Sequence, residues 1–392
     1  MSAPSRRVAF LLRTGSLGGA EIQALRAARA LEARGARVVV VTLPRSWVAV
    51  KAARSGLECR ELALGPIAPS ALDDVELVHV HEPRDLVWAL LARGRGQRPV
   101  VVTRHLAASA RRRRDPYHRW VSSHARFVAA SQFVRGSLVA AYGLAPEAIH
   151  VVPYGYPAPA LEDGWDVHRA ARATSTIGML SRLSHGKHLD DALGVLEQLR
   201  RRGIAAELVI AGEETDAGAR VALLRRARER GVAGRLRLFG YRADVAALLD
   251  GFDVLLHTAH AESFGLAILE AMAHGCPVVA SAGGGVPEIV RHETSGWLAP
   301  AGDVTALADG VVGCLVDRAS AISRAAVARA EATARFSPVA EADGLLRLYG
   351  ELLDGGVASG RRARIATRRD AGSSPTRVTS ISASGGSKRS RG

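Results

Sequence analysis

Residues 254–281 read VLLHTAHAESFGLAILEAMAHGCPVVAS. Val254–His257 is a short, mostly apolar run of strand length. Gly265–His274 carries apolar side chains at helical spacing, and Gly275 with Pro277 ends it. Val278–Ser281 is a second short apolar run, the form taken by a strand covered on both faces. Strand, helix and strand in such close succession make the crossover unit that joins two parallel neighbours.

The same unit repeats outward in both directions. Upstream in this half lie strand Thr176–Leu180, helix Leu189–Arg202, strand Ala206–Ala211, helix Ala219–Arg230, strand Leu236–Phe239 and helix Asp244–Leu249. Downstream, helices cover Val304–Leu315, Ala319–Ala334 and Pro338–Leu353. The N-terminal half alternates likewise. Its strands are Val8–Leu12, Val38–Thr42, Leu77–His81, Val100–Thr103, Phe127–Ala130 and Ile149–Pro153. Its helices are Glu21–Gly35, Trp47–Ser55, Asp85–Ala92, Tyr117–His124 and Gln132–Tyr142. Between the halves, Tyr154–Ala173 carries Pro157, Pro159 and Gly164 and reads as a linker. The expected architecture is therefore α/β, with two Rossmann-like doubly wound domains facing a cleft, over residues 1–165 and 166–336. Residues 337–354 form a last helix, and residues 355–392 a disordered basic tail. In open α/β sheets ligands sit beyond the carboxyl ends of the strands, which places the chemistry in the cleft.

Composition narrows the function. The formal net charge of +15 is uneven: residues 355–392 hold nine Lys/Arg against the single acid Asp370. The tail is rich in Ser, Gly and Arg and too poor in apolar residues to fold. The folded part is only mildly basic and has no aromatic interleaving or zinc spacing, so nucleic acid is not an expected partner. Cys59, Cys276 and Cys314 are scattered and odd in number, which points to a reducing compartment rather than a disulfide scaffold. No apolar stretch approaches the roughly 20 residues of a spanning helix, and the apolar run Val8–Leu12 is too short for a signal-peptide core. The expectation is a cytoplasmic protein, peripheral at the inner face of the plasma membrane at most.

Several clusters could carry chemistry. Glu262 precedes a helix that Gly265 opens, and Glu270 lies within it, eight residues on. Unpaired amides at that helix start suit a diphosphate, and carboxylates accept from vicinal sugar hydroxyls. Arg182 and Lys187, five residues apart after a strand, can bracket a diphosphate and stabilise charge building on it. Gly15-Ser16-Leu17-Gly18-Gly19-Ala20-Glu21 joins the first strand to the first helix. It is neither a dinucleotide fingerprint nor a Walker loop; it reads equally as a phosphate-proximal turn or a plain tight turn. His79 and His81 share one side of a buried strand and read as packing groups; no third ligand joins them to make a metal site. Arg111, Arg112, Arg113 and Arg114 form a basic run suited to an anionic acceptor or membrane surface.

With these residues in view, the chain resembles family 4 of the retaining glycosyltransferases. Residues 257–281 look like that family's signature of two glutamates separated by seven residues, with its flanks. Gly283-Gly284-Gly285-Val286-Pro287-Glu288-Ile289-Val290 and Ser295-Gly296-Trp297-Leu298 continue it in order. The resemblance implies the GT-B fold, its final helix crossing back to the first domain, and a nucleotide-diphosphate sugar donor. It gives Glu262 the donor sugar and Glu270 the ribose, with Phe264, Gly265 and Leu266 offering backbone amides. Ser181-Arg182-Leu183-Ser184-His185-Gly186-Lys187 resembles the pyrophosphate-binding element, Ser181 replacing its usual glycine. Phe239-Gly240-Tyr241 resembles the nucleotide-base loop, and His105 matches a histidine near the donor sugar's hydroxyls. Gly18 and Gly19 fall on the donor side. No cofactor or metal is implied. Where the family has Asn-Gly after the last strand of the first half, this chain has Tyr154-Gly155-Tyr156. The resulting expectation is transfer of a hexose-type sugar, with retention, to a glycan or lipid-linked acceptor in envelope or exopolysaccharide synthesis. A nucleotide-sugar epimerase of the same fold, and a basic nucleic-acid-binding protein, are the alternatives.

Overall fold

The computed structural model describes residues 6–15, 18–94, 98–108, 120, 123–160 and 174–354. The basic tail, Arg111–Arg114 and residues 161–173 of the linker lie outside the described residues, as does most of the helix read over 117–124.

The first sheet has seven strands: β1 (Arg7–Leu12), β2 (Arg37–Thr42), β3 (Glu58–Glu61), β4 (Leu77–Val80), β5 (Val100–Arg104), β6 (Arg126–Ala129) and β7 (Ile149–Val151). The second has six: β8 (Ser175–Leu180), β9 (Ala206–Ala211), β10 (Leu236–Leu238), β11 (Val254–His257), β12 (Val278–Ser281) and β13 (Trp297–Ala299). Their orders are β3-β2-β1-β4-β5-β6-β7 and β10-β9-β8-β11-β12-β13, with every pairing parallel. The chain reverses its direction of winding between β1 and β4 in one sheet and between β8 and β11 in the other. At such switch points crossovers leave on opposite faces and open a crevice at the strand ends. The glycine loop and His81 follow β1 and β4; Arg182, Lys187 and Glu262 follow β8 and β11.

The helices are α1 (Gly19–Ala33), α2 (Trp47–Arg54), α3 (Leu86–Leu91), α4 (Gln132–Tyr142), α5 (Leu189–Arg201), α6 (Ala219–Glu229), α7 (Val245–Gly251), α8 (Leu266–Ala273), α9 (Val286–Ile289), α10 (Val304–Val316), α11 (Arg318–Arg335) and α12 (Pro338–Asp354). Each sheet is sandwiched between two apolar clusters, so its central strands are apolar on both faces, which is why most of them read as short apolar runs. Helix α12 leaves the second half and packs on the first. Ala342, Leu345, Leu348 and Tyr349 enter the cluster built on Val8, Phe10, Leu25 and Leu31. Arg34 Nε to Asp343 at 2.8 Å holds the helix from outside.

Two strands and one helix escaped the sequence reading. Strand β3 is Glu-Cys-Arg-Glu on a sheet edge, where exposed charge is tolerated and blunts edge pairing. Strand β13 is three residues at an edge of the second sheet, too short to make a period. Helix α9 is one turn inside what reads as a glycine-led loop.

Candidate functional site

The centre of the site is an ion pair between two loops. Lys187, at the end of the loop after β8, places Nζ 2.6 Å from Glu262 Oε2. His257, the last residue of β11, brings Nε2 to 3.2 Å from the same oxygen. The Ser263 amide donates to Glu262 Oε1 at 3.2 Å. Burial alone would raise the Glu262 carboxyl; the His257 hydrogen bond and the Lys187 ammonium reverse that and hold it far below the usual carboxylate range. Glu262 is thus a fixed anion with its cation in contact. The loops are also tied through backbone: Thr258 Oγ1 donates to the Lys187 carbonyl at 2.8 Å. The glycine run 283–285 lies flat against this segment. A Cβ on Gly284 would fall 2.0 Å from the Glu262 carbonyl oxygen, and the Gly285 amide donates to that oxygen at 2.8 Å.

Helix α8 starts directly beyond. Gly265 is its N-cap, in left-handed conformation (φ 104°), with no side-chain cap. The first-turn amides therefore face the crevice without a side-chain acceptor, the arrangement that suits an anion. Leu266 opens the helix and is half-buried, whereas the Phe264 ring is buried, edge-on to Tyr154 at 4.9 Å and Phe336 at 5.9 Å. Its side chain is core, and only its backbone can meet a ligand. Glu270 lies one turn further and is paired across the cleft: Arg26 Nη1 of α1 is 3.0 Å from its Oε1. Burial raises the Glu270 carboxyl and Arg26 partly offsets this. The Arg26 guanidinium also covers the Tyr156 ring, 4.6 Å from its centroid.

The glycine loop abuts the same helix. A Cβ on Gly19 would touch Leu266 Cδ1 at 3.4 Å. The Gly18 amide already has an intramolecular partner, donating to Glu21 Oε2 at 2.7 Å. Arg182 is exposed, with no side-chain partner among the described residues, free to turn toward an anion. Gly240 lies beyond β10, its carbonyl taken by the Gly212 amide at 2.9 Å, and Tyr241 beside it is 52% exposed.

His105 sits on the opposite wall. Its Nδ1 is 2.6 Å from Tyr154 Oη and its Nε2 3.2 Å from His81 Nδ1. Burial, helped by Arg104, lowers it to about 4, so near neutral pH it is an uncharged hydrogen-bonding group. Tyr154, the apparent oddity of the linker, is thus the residue that orients His105. His79 bonds Tyr349 Oη at 2.6 Å and Thr103 Oγ1 at 2.7 Å and is fully buried, in keeping with a packing role.

Three contributors have a role that the sequence did not disclose. His257 orients Glu262, Arg26 holds Glu270, and Glu288 caps the start of α4 across the cleft through the Gln132 and Phe133 amides at 2.7 and 2.8 Å. All three act over long separations or through orientation, which spacing does not encode.

Comparison with known proteins bears on the family and the fold. A family model described as Glycosyltransferase Family 4 matches residues 17–158, and one described as Glycosyl transferases group 1 matches residues 167–331. A D-inositol 3-phosphate glycosyltransferase of Segniliparus rotundus is 30% identical over 255 residues, covering 62% of this chain and 56% of that one. A GDP-mannose-dependent alpha-(1-6)-phosphatidylinositol monomannoside mannosyltransferase of Mycobacterium tuberculosis is 32% identical over 173 residues, covering 41% and 43%. The matches thus span about half the length of these curated relatives. Among solved structures, Anabaena HepE in complex with UDP-glucose superposes with a TM-score of 0.77 at 22% identity, covering 88% of this chain and 99% of that one. At that identity the likeness speaks for the GT-B fold alone. No helix among the described residues is long and apolar enough to cross a membrane. With the two family models falling one on each half, over a paired-sheet GT-B frame, the chain belongs to family 4 of the glycosyltransferases.

Proposed function

We propose that this chain transfers a hexose-type sugar from a nucleotide-diphosphate donor to a glycan or lipid-linked acceptor, with retention at the anomeric carbon. The observation that carries the reading is the Lys187–Glu262 pair at the β8/β11 switch point, with exposed Arg182 beside it and the uncapped start of α8 behind it. A deprotonated, well-oriented carboxylate accepts from sugar hydroxyls. Two cations and the helix start take the charge that grows on the departing diphosphate. Glu270 takes the ribose hydroxyls, and Phe264, Gly265 and Leu266 contribute amides. Gly240 and Tyr241 border the base, and Gly18 and Gly19 close over the donor. Neutral His105 hydrogen-bonds the sugar.

Retention rests on family membership. Among the described residues the geometry offers no side-chain nucleophile, which favours a same-face route. In it the acceptor oxygen bonds the anomeric carbon as the bond to phosphate breaks, and the acceptor's proton passes to a leaving phosphate oxygen. The similarity to a D-inositol 3-phosphate glycosyltransferase and a phosphatidylinositol monomannoside mannosyltransferase supports an envelope or lipid-linked acceptor. The run Arg111–Arg114 and the basic tail suit an anionic surface, so the enzyme is assigned to the cytoplasm, peripheral at the inner face of the membrane. The domain limits given above, 1–165, 166–336 and 337–354, belong to this reading too.

Thermal-shift screening against UDP-, GDP- and ADP-sugars tests it, with Glu270→Ala as control. A donor at 100 times its Kd adds about 2.7 kcal/mol. Stabilisation by one nucleotide sugar, lost in the control, supports the reading. A folded protein that responds to none of them, or a control that responds like wild type, overturns it.

A further inference from the structure

The loop carrying Lys187 and the loop carrying Glu262 hold three side chains that sugar transfer leaves without a task. His188 is the N-cap residue of α5, Asp191 lies in its first turn, and His260 stands between β11 and α8. One ligand atom from each lies within 4.8 Å of the others, and all three residues are half-buried. His260 Nε2 is 2.7 Å from Asp191 Oδ2. The His188 and His260 rings stack with centroids 3.4 Å apart and planes 12° apart. His188 also occupies a left-handed backbone position (φ 48°, ψ 49°). A side chain there costs on the order of 1 kcal/mol, which a glycine would avoid. An imidazole held at that cost has a use.

We propose that His188, Asp191 and His260 form a binding site for a divalent transition metal of the zinc class. Two imidazole nitrogens and one carboxylate oxygen make a borderline donor set, suited to zinc and its neighbours rather than to magnesium or calcium, which take all-oxygen sets. Three protein ligands leave a fourth tetrahedral position for water. With metal–nitrogen bonds of about 2.1 Å, ligand atoms stand about 3.4 Å apart around the ion. The His260–Asp191 contact has to open by less than an ångström. Parallel rings aim their lone pairs side by side, so one ring turns about its own χ2 to converge on the ion. The Nε2 proton that His260 shares with Asp191 moves to the other ring nitrogen, leaving a lone pair for the metal.

The ion's place dictates its role. His188 adjoins Lys187, and His260 lies two residues before Glu262. The Thr258–Lys187 backbone tie and the Lys187–Glu262 pair already join the same two loops. The metal adds a third tie on the far side. It positions the loops and is not the Lewis acid of a sugar-transfer step, and its binding does not depend on the activity proposed above.

The test uses the untagged full chain, stripped with chelator and titrated with Co2+. One equivalent is expected to bind with the intense visible bands of a tetrahedral site, and Zn2+ is expected to displace it and raise the melting temperature. His188→Gly is the decisive variant, because it removes a ligand while relieving the backbone, so the fold is retained. Asp191→Asn keeps the shape and removes the charge. Both are expected to lose the bands and the Zn2+ shift, whereas His292→Ala keeps them. Absence of the bands in wild type, or bands of equal strength in His188→Gly, overturns the site. So does a melting temperature lowered in Asp191→Asn while the Zn2+ shift persists, which would make the cluster a hydrogen-bonded staple.

Discussion

Replacing Glu341 with Gln should stabilise the protein in alkaline solution and leave it nearly unchanged in mild acid. Glu341 sits in the first turn of α12, where the chain crosses back, and is fully enclosed. Its Oε2 accepts from the Gly155 amide at 2.9 Å and from Gln23 Nε2 at 2.8 Å. Burial outweighs these two bonds and pushes the carboxyl from 4.5 up to about 8. The unfolded chain ionises near the ordinary value. The stability this group gives is therefore complete below pH 4.5 and is lost as pH rises through about 8. At about 1.4 kcal/mol per tenfold change in proton affinity, the ceiling on that loss is roughly 5 kcal/mol. The Gln carbonyl can accept both hydrogen bonds, and its amide never ionises. Other groups titrate in the same range with the opposite sign. Burial depresses His79 to about 3 and His105 to about 4, so their contribution is present above 6.5 and lost as pH falls. Subtracting wild type from variant cancels them. Urea unfolding at about pH 5 and about pH 9 should give a difference that grows by about 2 kcal/mol or more toward alkali. Parallel profiles for the two proteins would show that Glu341 is ionised in the native state, and the argument from burial would fail.

Lys187→Met removes the ammonium from Glu262 while keeping the chain's apolar stem. Both partners are less than a quarter exposed, so the cost lies between that of surface and buried pairs, about 1–3 kcal/mol. Stabilisation by nucleotide sugar should vanish with it; an unchanged urea midpoint together with an unchanged ligand response refutes the role given to the pair. Gly155→Ala places a methyl 2.5 Å from the Ser337 carbonyl oxygen and 2.7 Å from Pro338 Cα, both backbone atoms that cannot swing aside. Calorimetry should record a loss of about 1–3 kcal/mol or more, and a melting profile like that of wild type would mean that α12 crosses less tightly than described.

What the sequence disclosed follows from what each feature depends on. Strands β8, β9, β11 and β12 are legible because burial on both faces makes them continuous apolar runs. Glu262, Arg182 and Lys187 are legible because each lies in the loop that follows a strand, so chain position places them at the crevice. Strand β3 is hidden because an edge strand is free to carry Glu, Cys, Arg and Glu. Arg26 and Glu270 meet across 244 positions, and Gln23 and Glu341 across 318. Neither pair leaves a local trace, since periodicity reports which face of an element is buried and not what lies against it. Tyr154 is the instructive case. Read along the chain it is a departure from the family's Asn-Gly; in three dimensions its hydroxyl sets the orientation of His105.

The contacts between the halves differ in kind from those within them. Inside each half the sheet is buried between apolar clusters, whose separation exposes large areas to water. Across the cleft the main ties near the site are polar: Ser131 Oγ to the Ser263 carbonyl at 2.6 Å, the Ala107 amide to Ser263 Oγ at 3.1 Å, Glu288 to the α4 amides, and Arg26 to Glu270. The neutral ones exchange for water at a net cost of about 0.5–1.5 kcal/mol, and those involving a charged group at about 1.5–3 kcal/mol. Two contacts are exceptions: helix α12 packs apolar residues of the returning chain onto the first half and cannot leave cheaply, and Ala130, Tyr154 and Tyr156 join the apolar cluster of Phe264, Ile268 and Phe336. The halves are thus hinged by an apolar strap and latched by exchangeable polar bonds, and one latch, Arg26–Glu270, engages the carboxylate proposed to hold the ribose. On the proposed role of Glu270, a donor reaching it competes with that latch, which predicts that donor entry and the cross-cleft contact are coupled through a single side chain. Arg26→Ala uncouples them without touching the strap. It should ease donor binding while costing about 1–3 kcal/mol of stability, as at the similarly buried Lys187–Glu262 pair, and weaker donor binding in this variant would mean that Arg26 holds the donor instead of guarding Glu270.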